Sequence, residues 1–358
     1  MKIGINSRMY QNNMTGIPYY IECLYKECLK VDHDNEYIFF QTKKTKMIGN
    51  THVIKRGNSV IDAFLFDNFL IRKLIKQDKI DVYHGPASIL PFFKDKNVRY
   101  VLTVHDLSFL VFPNNNSKIF NLYYKYFVGR SLKNADVIVA DSENTKRDIA
   151  KFYSINKNKI RVIYPGVNNL FLSKTHVKRL IQEKYFFTLS THPERKNIYR
   201  VIELLESNNQ LSNHVFVIAG LIPADQLSKL KVLIKKLHLQ DQIILFGYAT
   251  EEELMSLYQH AEFFIYPSYY EGFGFPILEA MLSRCPVIAS NTSSIPEITP
   301  NKDWLFNPNS TKGIQRSIEK MISLTPGNRE KLIQDNLIFA SKFSWHESAM
   351  TMIKAYRS

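Results

Sequence analysis

Residues 266–281 read Tyr266-Pro-Ser-Tyr-Tyr-Glu271-Gly-Phe-Gly-Phe-Pro-Ile-Leu-Glu279-Ala-Met281, and this stretch is the most informative about the fold. An apolar strand runs into a glycine turn, and the turn opens a helix. Such a junction directs backbone N–H groups and the positive end of the helix dipole at one point, which favours phosphate binding. Gly272 and Gly274 allow a ligand to approach the backbone closely.

The same stretch carries two carboxylates. Glu271 precedes the predicted helix, and Glu279 lies within the helix, about two turns further along than Glu271, so the pair can address opposite ends of one extended ligand. Carboxylates accept hydrogen bonds from sugar hydroxyls. Two glutamates eight positions apart also occur by chance on solvated surfaces, but the glycines, Pro276 and the preceding strand favour a binding site.

Apolar strand patterns alternate with helical patterns along the chain, which is typical of an α/β protein with parallel sheets. The chain has 358 residues, more than one core usually supports, so we expect two doubly wound domains. The predicted strands are 2–6, 37–41, 81–84, 100–104, 137–140 and 161–163 in the first half, and 186–190, 215–219, 243–246, 263–266 and 287–289 in the second.

The domain boundary is predicted at Tyr164-Pro165-Gly166-Val167, where proline and glycine interrupt the pattern. The first domain would comprise residues 1–168 plus 344–358, and the second residues 169–343. The last amphipathic pattern follows the second sheet, and we expect its helix to cross back onto the first domain.

The composition excludes several classes of protein. Hydrophobic residues make up 45% of the chain, and its longest apolar run is far shorter than the ~20 residues of a membrane-spanning helix. Three cysteines without a CxxC pattern are most simply packing residues in a reducing compartment. The N-terminus lacks the features of a signal peptide, so a cytoplasmic protein is expected.

The net charge of +14 is concentrated in the first half, where residues 1–168 hold 26 lysines and arginines against 15 aspartates and glutamates. An excess of this kind attracts nucleic acid, an anionic membrane or a phosphorylated acceptor. The chain lacks a recognised nucleic-acid reader motif, so no nucleic-acid partner is expected.

The segment quoted first resembles the E-x7-E motif of glycosyltransferase family 4, with Phe275 where a leucine is usual. The resemblance implies a GT-B fold, in which two Rossmann-like domains face each other across a cleft. It also implies that Glu271 contacts the transferred sugar, that Glu279 contacts the ribose, and that the turn holds the donor through residues Gly272, Phe273, Gly274 and Phe275.

A second cluster, Thr191-His-Pro-Glu-Arg195-Lys196-Asn197, follows the first strand of the second domain and resembles the family's Pro-Arg-Lys-Asn segment. The resemblance implies that Arg195 and Lys196 neutralise the leaving diphosphate without a metal or other cofactor. A solvated basic helix start is the alternative. Many relatives carry an arginine where this chain has Ser190, and whether Arg195 takes over that role stays open.

Further matches concern the first domain and the nucleotide base. His105 lies in a Val-His-Asp segment at a strand end, and the resemblance implies that it lies beside the donor sugar and helps to orient it. A neutral imidazole there could hydrogen-bond a hydroxyl or the developing charge, and a hydrogen-bonded core histidine is the alternative. Gly16 stands where the family has a glycine-rich loop, although a simple helix cap remains open because Pro18 replaces a second glycine. Gly247 and Tyr248 are candidates for lining the base.

The resemblance extends over nearly the whole chain and implies a retaining transfer of a hexose from a nucleotide diphosphate sugar to a saccharide acceptor. The Val-His-Asp and Pro-Arg-Lys-Asn segments look most like those of bacterial surface-polysaccharide enzymes that use GDP-mannose. The acceptor is therefore expected to be lipid-linked, with the basic domain against the inner face of an anionic membrane. Two alternatives stay open: a UDP-sugar donor, and a partner protein that binds nucleotide sugar without turnover. Asp32-His33-Asp34 spells the D-x-D of metal-dependent transferases, but its early position predicts a solvated loop.

Overall fold

The computed structural model describes residues 1–10, 16–45, 49–54, 60–113, 117–172, 177–207 and 211–357. The chain forms two compact units: unit 1 is Met1–Gly166 with Phe343–Ser358, and unit 2 is Val167–Lys342. The boundaries predicted from the sequence lie two residues later at the first change of unit and one residue later at the second. The first part of the predicted glycine loop, residues 13–15, lies outside the described residues.

Unit 1 is built on a parallel sheet of seven strands. The strands are β1 (Lys2–Asn6), β2 (Glu36–Gln41), β3 (Asn50–Val53), β4 (Val82–Gly85), β5 (Arg99–Val104), β6 (Val137–Ala140) and β7 (Ile160–Val162). Their order in the sheet is β3-β2-β1-β4-β5-β6-β7, with every neighbouring pair parallel. The order reverses between β1 and β4, as in a doubly wound fold.

Helices connect these strands. They are α1 (Ile17–Val31), α2 (Val60–Leu65), α3 (Ile71–Gln77), α4 (Ser108–Val111), α5 (Lys118–Asn134) and α6 (Glu143–Tyr153), with a π-helical turn at Phe66–Leu70 between α2 and α3. The core lies between helices and sheet, where apolar side chains such as Tyr83, Leu102 and Ile138 are buried.

Unit 2 repeats the arrangement with six parallel strands. They are β8 (Tyr185–Leu189), β9 (Val215–Ala219), β10 (Ile243–Gly247), β11 (Phe264–Tyr266), β12 (Val287–Ser290) and β13 (Leu305–Phe306), in the order β10-β9-β8-β11-β12-β13. The helices are α7 (Ile198–Ser207), α8 (Ala224–Lys236), α9 (Glu251–His260), α10 (Phe275–Leu282), α11 (Thr311–Ile322) and α12 (Pro326–Ala340). Phe186 of β8 stacks between Phe216 and Phe263, with both ring centroids 4.9 Å away.

The last helix, α13 (Trp345–Arg357), belongs to unit 1 and packs against α1, as the sequence predicts. The chain crossing at Gly166 admits only glycine, because a Cβ there would lie 2.1 Å from the backbone nitrogen of Trp345. Ser348 fixes the crossing by donating its hydroxyl to the carbonyl of Tyr164 at 2.7 Å. Within the described residues, no helix is both long enough and apolar enough to traverse a bilayer.

The predicted solvated loop at Asp32 is partly wrong. The Asp32 carboxylate is buried and accepts hydrogen bonds from Tyr37 and Asn35, both at 2.6 Å. Asp34 is exposed and pairs with Arg357 of α13 at 3.0 Å. The two aspartates therefore stabilise the end of α1 and the docking of α13.

A buried histidine joins α13 to the centre of the sheet. The Nδ1 atom of His84, on β4, lies 2.5 Å from the Tyr25 hydroxyl and 2.8 Å from the Tyr356 hydroxyl, and Nε2 lies 2.8 Å from Thr103 Oγ1. Burial lowers the pKa of His84 to about 3, and the charge of His105 adds to the effect. His84 is therefore neutral in the folded protein.

The neutral state of His84 predicts a pH-dependent stability. Below about pH 6.5 the unfolded chain binds a proton at His84 that the folded chain does not, so the free energy of unfolding of unit 1 should fall as pH decreases toward 4. The loss from this group approaches about 1.4 kcal/mol per pH unit. Urea unfolding followed by Trp345 fluorescence in a Trp304→Phe background measures it.

The matched variant is His84→Gln in the same background, which retains a polar group but cannot titrate. It should be less stable at pH 7 and should show a shallower decline toward pH 4. Identical pH slopes for the two proteins would show that His84 is not the neutral group described here.

Candidate functional site

The candidate site of unit 2 lies where its strand order reverses. Strands β8 and β11 are neighbours, but the chain continues from them to opposite sides of the sheet, which opens a crevice at their carboxyl ends. Segment 190–197 follows β8, and segment 267–274 follows β11. The topology thus brings together the two clusters singled out in the sequence.

Three predicted residues meet there in one ionic cluster. Lys196 Nζ lies 2.8 Å from Glu271 Oε1, and Arg195 Nη1 lies 3.3 Å from Glu271 Oε2. Arg195 also donates to the carbonyl of Tyr270 at 3.0 Å. Lys196 in turn donates to the hydroxyl of Tyr266 at 2.6 Å.

Glu271 and Lys196 are buried, so the charge of the Glu271 carboxylate depends on its neighbours. Burial alone would raise the pKa of Glu271, but the positive charges of Lys196 and Arg195 lower it below its ordinary value. The carboxylate therefore stays ionised. Two cations facing one carboxylate leave the cluster with a net positive charge, which suits a phosphate-bearing ligand.

The loop after β12 holds the Glu271 segment in place. Ser293 Oγ accepts the backbone N–H of Glu271 at 2.9 Å, and Ser294 Oγ donates to the carbonyls of Glu271 and Phe273. The sequence gives no separate role to these serines. The signal for them is a polar Asn-Thr-Ser-Ser stretch after a buried strand next to β11.

The glycine turn adopts the predicted form. Gly274 caps α10 with φ of 112°, a conformation that favours glycine, and a Cβ there would lie 2.8 Å from Ile298 Cδ1. Phe273 and Phe275 flank it with their rings in edge contact, centroids 5.1 Å apart. Gly272 precedes them, so all four turn residues proposed for donor binding lie at the start of α10.

Glu279 lies on α10 and is the fifth residue of that helix. It accepts a hydrogen bond from the Tyr258 hydroxyl at 3.2 Å, which the sequence does not indicate. Burial raises the pKa of Glu279 to about 7, and the negative charge of Glu251 adds to the rise. Burial also raises the pKa of Tyr266, with contributions from both Glu271 and Glu279, so this tyrosine lies within electrostatic range of both carboxylates.

The ends of β8 and β10 complete the rim of the crevice. Gly247 closes β10, and Tyr248 after it is exposed. Ser190 is buried and bonded through its backbone to Ala219, so it does not supply a substitute for the family arginine. The arginine of the ionic cluster is Arg195, contributed by the loop five residues later.

Unit 1 carries His105 at the carboxyl end of β5. Its Nδ1 lies 2.6 Å from Asp141 Oδ2, and its Nε2 lies 2.8 Å from the carbonyl oxygen of Pro86. Both partners can only accept, so both ring nitrogens must donate. The ring is therefore an imidazolium rather than the neutral imidazole considered from the sequence. Burial lowers the pKa of His105, but the charge of Asp141, the hydrogen bonds to Asp141 and Pro86 and the charge of Asp106 together raise the pKa above its ordinary value.

Gly16 lies at the N-cap of α1 with φ of 62° and ψ of −126°, a region accessible to glycine, and a Cβ there would meet no atom within 4 Å. The alternative of a simple cap therefore has structural support, because Gly16 is the N-cap residue of α1. At the end of neighbouring β1, Arg8 forms a two-point ion pair with Asp67 at 2.7 and 3.0 Å. The sequence gives no indication of that pair.

The chain matches two known families over most of its length. Residues 16–169 match Glycosyltransferase Family 4, and residues 174–336 match Glycosyl transferases group 1. The chain is 30% identical over 254 residues to O-antigen chain mannosyltransferase RfbU of Salmonella typhimurium, covering 71% of this chain and 68% of that protein. It is 27% identical over 287 residues to O-antigen chain mannosyltransferase B of Escherichia coli, covering 77% and 74%.

The chain belongs to glycosyltransferase family 4. Solved structures support the GT-B fold: sucrose-phosphate synthase from Thermosynechococcus elongatus superimposes with a TM-score of 0.77 at 16% identity, covering 99% of this chain and 98% of that one. HepE from Anabaena, in complex with UDP and glucose, gives a TM-score of 0.74 at 14% identity, with 99% of both chains covered.

Within this family 4 glycosyltransferase, the described residues contain no group of three His, Cys, Asp or Glu side chains arranged to hold a metal ion. Metal independence itself stays a prediction.

The two acceptors around His105 predict a raised pKa that can be measured directly. In the glycosyltransferase labelled with nitrogen-15 histidine, the resonances lost in His105→Gln should titrate above pH 6.5 and show both ring nitrogens mostly protonated at pH 6.5. Asp141→Asn removes the neighbouring charge, so the pKa of His105 should fall. A neutral tautomer at pH 6.5 in the unsubstituted protein would contradict the assignment.

Proposed function

We propose that this glycosyltransferase transfers mannose from GDP-mannose to a lipid-linked saccharide acceptor, with retention of the anomeric configuration, in the synthesis of an O-antigen type of surface polysaccharide. The buried ion pair between Lys196 and Glu271 carries the catalytic part of the proposal. The two O-antigen mannosyltransferases named above, at 27% and 30% identity, support the choice of sugar and polymer.

The proposal assigns the donor to the crevice of unit 2. Lys196 and Arg195 provide the positive charge for the diphosphate, and the start of α10 adds its helix dipole. A guanidinium and an ammonium suit different tasks, since Arg195 can bind two oxygens in one plane whereas Lys196 acts as a point charge.

The two carboxylates take separate parts of the donor. Glu271 is ionised and held at both oxygens, so it can accept further hydrogen bonds from hydroxyls of the mannose on its remaining lone pairs. Glu279 is assigned to the ribose hydroxyls. Tyr248, exposed at the end of β10, is assigned to the base.

Catalysis then consists of stabilising the leaving group. The bond between the anomeric carbon and the diphosphate oxygen breaks, and the acceptor oxygen bonds to that carbon on the same face. The acceptor proton passes to the leaving diphosphate oxygen. Lys196 and Arg195 stabilise the charge that develops on the diphosphate, which requires no metal in this scheme. Glu271 orients the sugar, since its two cations make it a poor nucleophile.

His105 is assigned to the same reaction through its match to the family's Val-His-Asp segment. As an imidazolium it can donate from Nε2 to a sugar or phosphate oxygen in exchange for the Pro86 carbonyl. Asp141 is a positioning residue, because it fixes the ring and maintains its charge. The basic unit 1 is assigned to the acceptor and to an anionic membrane, which implies a cytoplasmic enzyme peripheral to the inner face.

A UDP-sugar donor is the second candidate. HepE shares the fold and is a complex with UDP and glucose, so the fold accommodates a uridine nucleotide. A partner protein that binds nucleotide sugar without turnover is a third, and it would lack transfer activity.

Calorimetric titration in chelator separates these candidates. GDP-mannose should bind more tightly than UDP-glucose or UDP-N-acetylglucosamine, and Glu279→Ala should weaken it on the order of tenfold or more, because a bonded ribose loses its acceptor. Glu330→Ala provides the matched control, since Glu330 lies on α12 and pairs with Arg284. It should bind like the unsubstituted protein.

The same preparation tests the reaction. Incubation with GDP-mannose and a lipid-linked saccharide fraction should release GDP and yield an α-mannoside, read from the anomeric coupling by NMR. Tight binding of a UDP-sugar instead would transfer the proposal to the second candidate. Donor binding without product formation on any acceptor would favour the non-catalytic partner, and a β-mannoside would contradict retention.

A further inference from the structure

The first half of α5 exposes an apolar stripe to solvent. Ile119 is 83% exposed, Leu122 is 71% exposed and Tyr126 is 57% exposed. Their spacing of three and four residues places them on one side of the helix. Single exposed apolar residues are common, but three in one row form a continuous surface that needs a reason.

Packing of the fold does not supply that reason, because α5 already has a separate buried side. The partly buried Tyr124 packs against the core and meets Phe109 of α4 at 5.7 Å. Further along, Val128 and Leu132 are fully buried in the core of unit 1. The exposed stripe is therefore additional to the side that joins the helix to its sheet.

The π-helical turn at 66–70 extends the surface. Its Phe69 is exposed and meets Phe64 at 5.9 Å, and Phe64 meets Phe127 of α5 at 5.6 Å. Phe127 in turn meets Tyr126 at 5.1 Å. These ring contacts connect Phe69 to the stripe, and we call the four residues Phe69, Ile119, Leu122 and Tyr126 the α5 surface.

Basic groups accompany this surface. Helix α5 contains four basic residues and no acidic one, and its exposed lysines Lys118 and Lys125 adjoin the stripe in sequence. Lysine side chains can lay their methylenes along an apolar boundary while the ammonium groups reach a charged layer. A tyrosine likewise presents an apolar ring and a polar hydroxyl, as favoured at a membrane interface.

The topology sets where this surface lies within unit 1. Helix α5 connects the parallel neighbours β5 and β6, so it runs against the strand direction and begins near their carboxyl ends. His105 follows β5 at that edge. The α5 surface therefore lies toward the edge of the unit 1 sheet that carries His105.

We propose that the α5 surface binds the interface of an anionic lipid bilayer, with its apolar side chains among the acyl chains and its lysines at the headgroups. Apolar insertion and lysine attraction each contribute to binding of this kind. The inference deepens the proposed lipid-linked acceptor by naming the surface that brings the enzyme to it. Its test requires neither donor nor turnover.

The test is sedimentation with vesicles of phosphatidylcholine alone or mixed with phosphatidylglycerol. The protein should bind the anionic vesicles, and the triple variant Ile119→Ser, Leu122→Ser, Tyr126→Ser should bind them on the order of tenfold more weakly. The matched control is Leu221→Ser, Val232→Ser, Ile338→Ser, whose targets in unit 2 are 62–68% exposed. It should bind like the unsubstituted protein.

Two further variants separate insertion from charge. Tyr126→Trp should show a blue-shifted emission with vesicles and quenching by brominated lipid, because Trp304 and Trp345 are buried. Lys118→Glu with Lys125→Glu should lose the preference for anionic lipid. Normal thermal melting and nucleotide-sugar titration of each variant show that unit 2 is intact, so a failure here is distinct from failure of the proposed function.

Three results would overturn the inference. The unsubstituted protein could fail to bind anionic vesicles, or both triple variants could bind them equally well. The α5 variant could also convert a dimer into a monomer, by light scattering, with vesicle binding unchanged. The last result would identify the α5 surface as an interface between copies of this chain.

Discussion

The buried ion pair between Lys196 and Glu271 is the interaction on which the rest of the site depends. Breaking a buried pair by removing one partner costs about 3–5 kcal/mol, because the other charge stays desolvated. Here Arg195 also pairs with Glu271, and Lys196 also donates to the Tyr266 hydroxyl. The serines after β12 hold the segment that carries Glu271. The loops after three different strands are thereby fixed to one another, and their shape is set before any ligand arrives.

The parallel sheets explain why these loops meet. In both units the strand order reverses between the first and fourth strands, so side chains after those strands converge at one edge. Unit 2 uses the edge for a cationic cluster around a carboxylate, whereas unit 1 places His105 and Asp141 after β5 and β6. Two histidines of unit 1, His84 and His105, differ in charge: His84 is buried among hydroxyls and is neutral, whereas His105 faces a carboxylate and is charged.

The sequence predicts the architecture, and it predicts that Glu271, Lys196 and His105 follow strand ends, because strand ends and glycine turns leave local signals. The roles of these residues in a reaction stay predictions. It misses β3 and β13, which are short and lie at the sheet edges, where an apolar run is not required. It also misses Tyr258 and Ser293, since these partners come from separate elements and carry no fixed spacing. The charge of His105 depends on a carbonyl nineteen residues earlier, and no pattern along the chain reveals that contact.

The most direct test of the ion pair compares free GDP with GDP-mannose in calorimetric titrations of Lys196→Met and Glu271→Gln. Lys196→Met should weaken both ligands, because it removes the charge that faces the diphosphate. Glu271→Gln should bind GDP at least as tightly as the unsubstituted protein, since the cations lose their counter-charge, yet lose the added affinity from mannose. Glu271→Gln should melt at a lower temperature because it breaks a buried pair, so the titrations are run well below its melting temperature. Equal weakening of both ligands by Glu271→Gln, in a protein shown to be folded at that temperature, would contradict the assignment of Glu271 to the sugar.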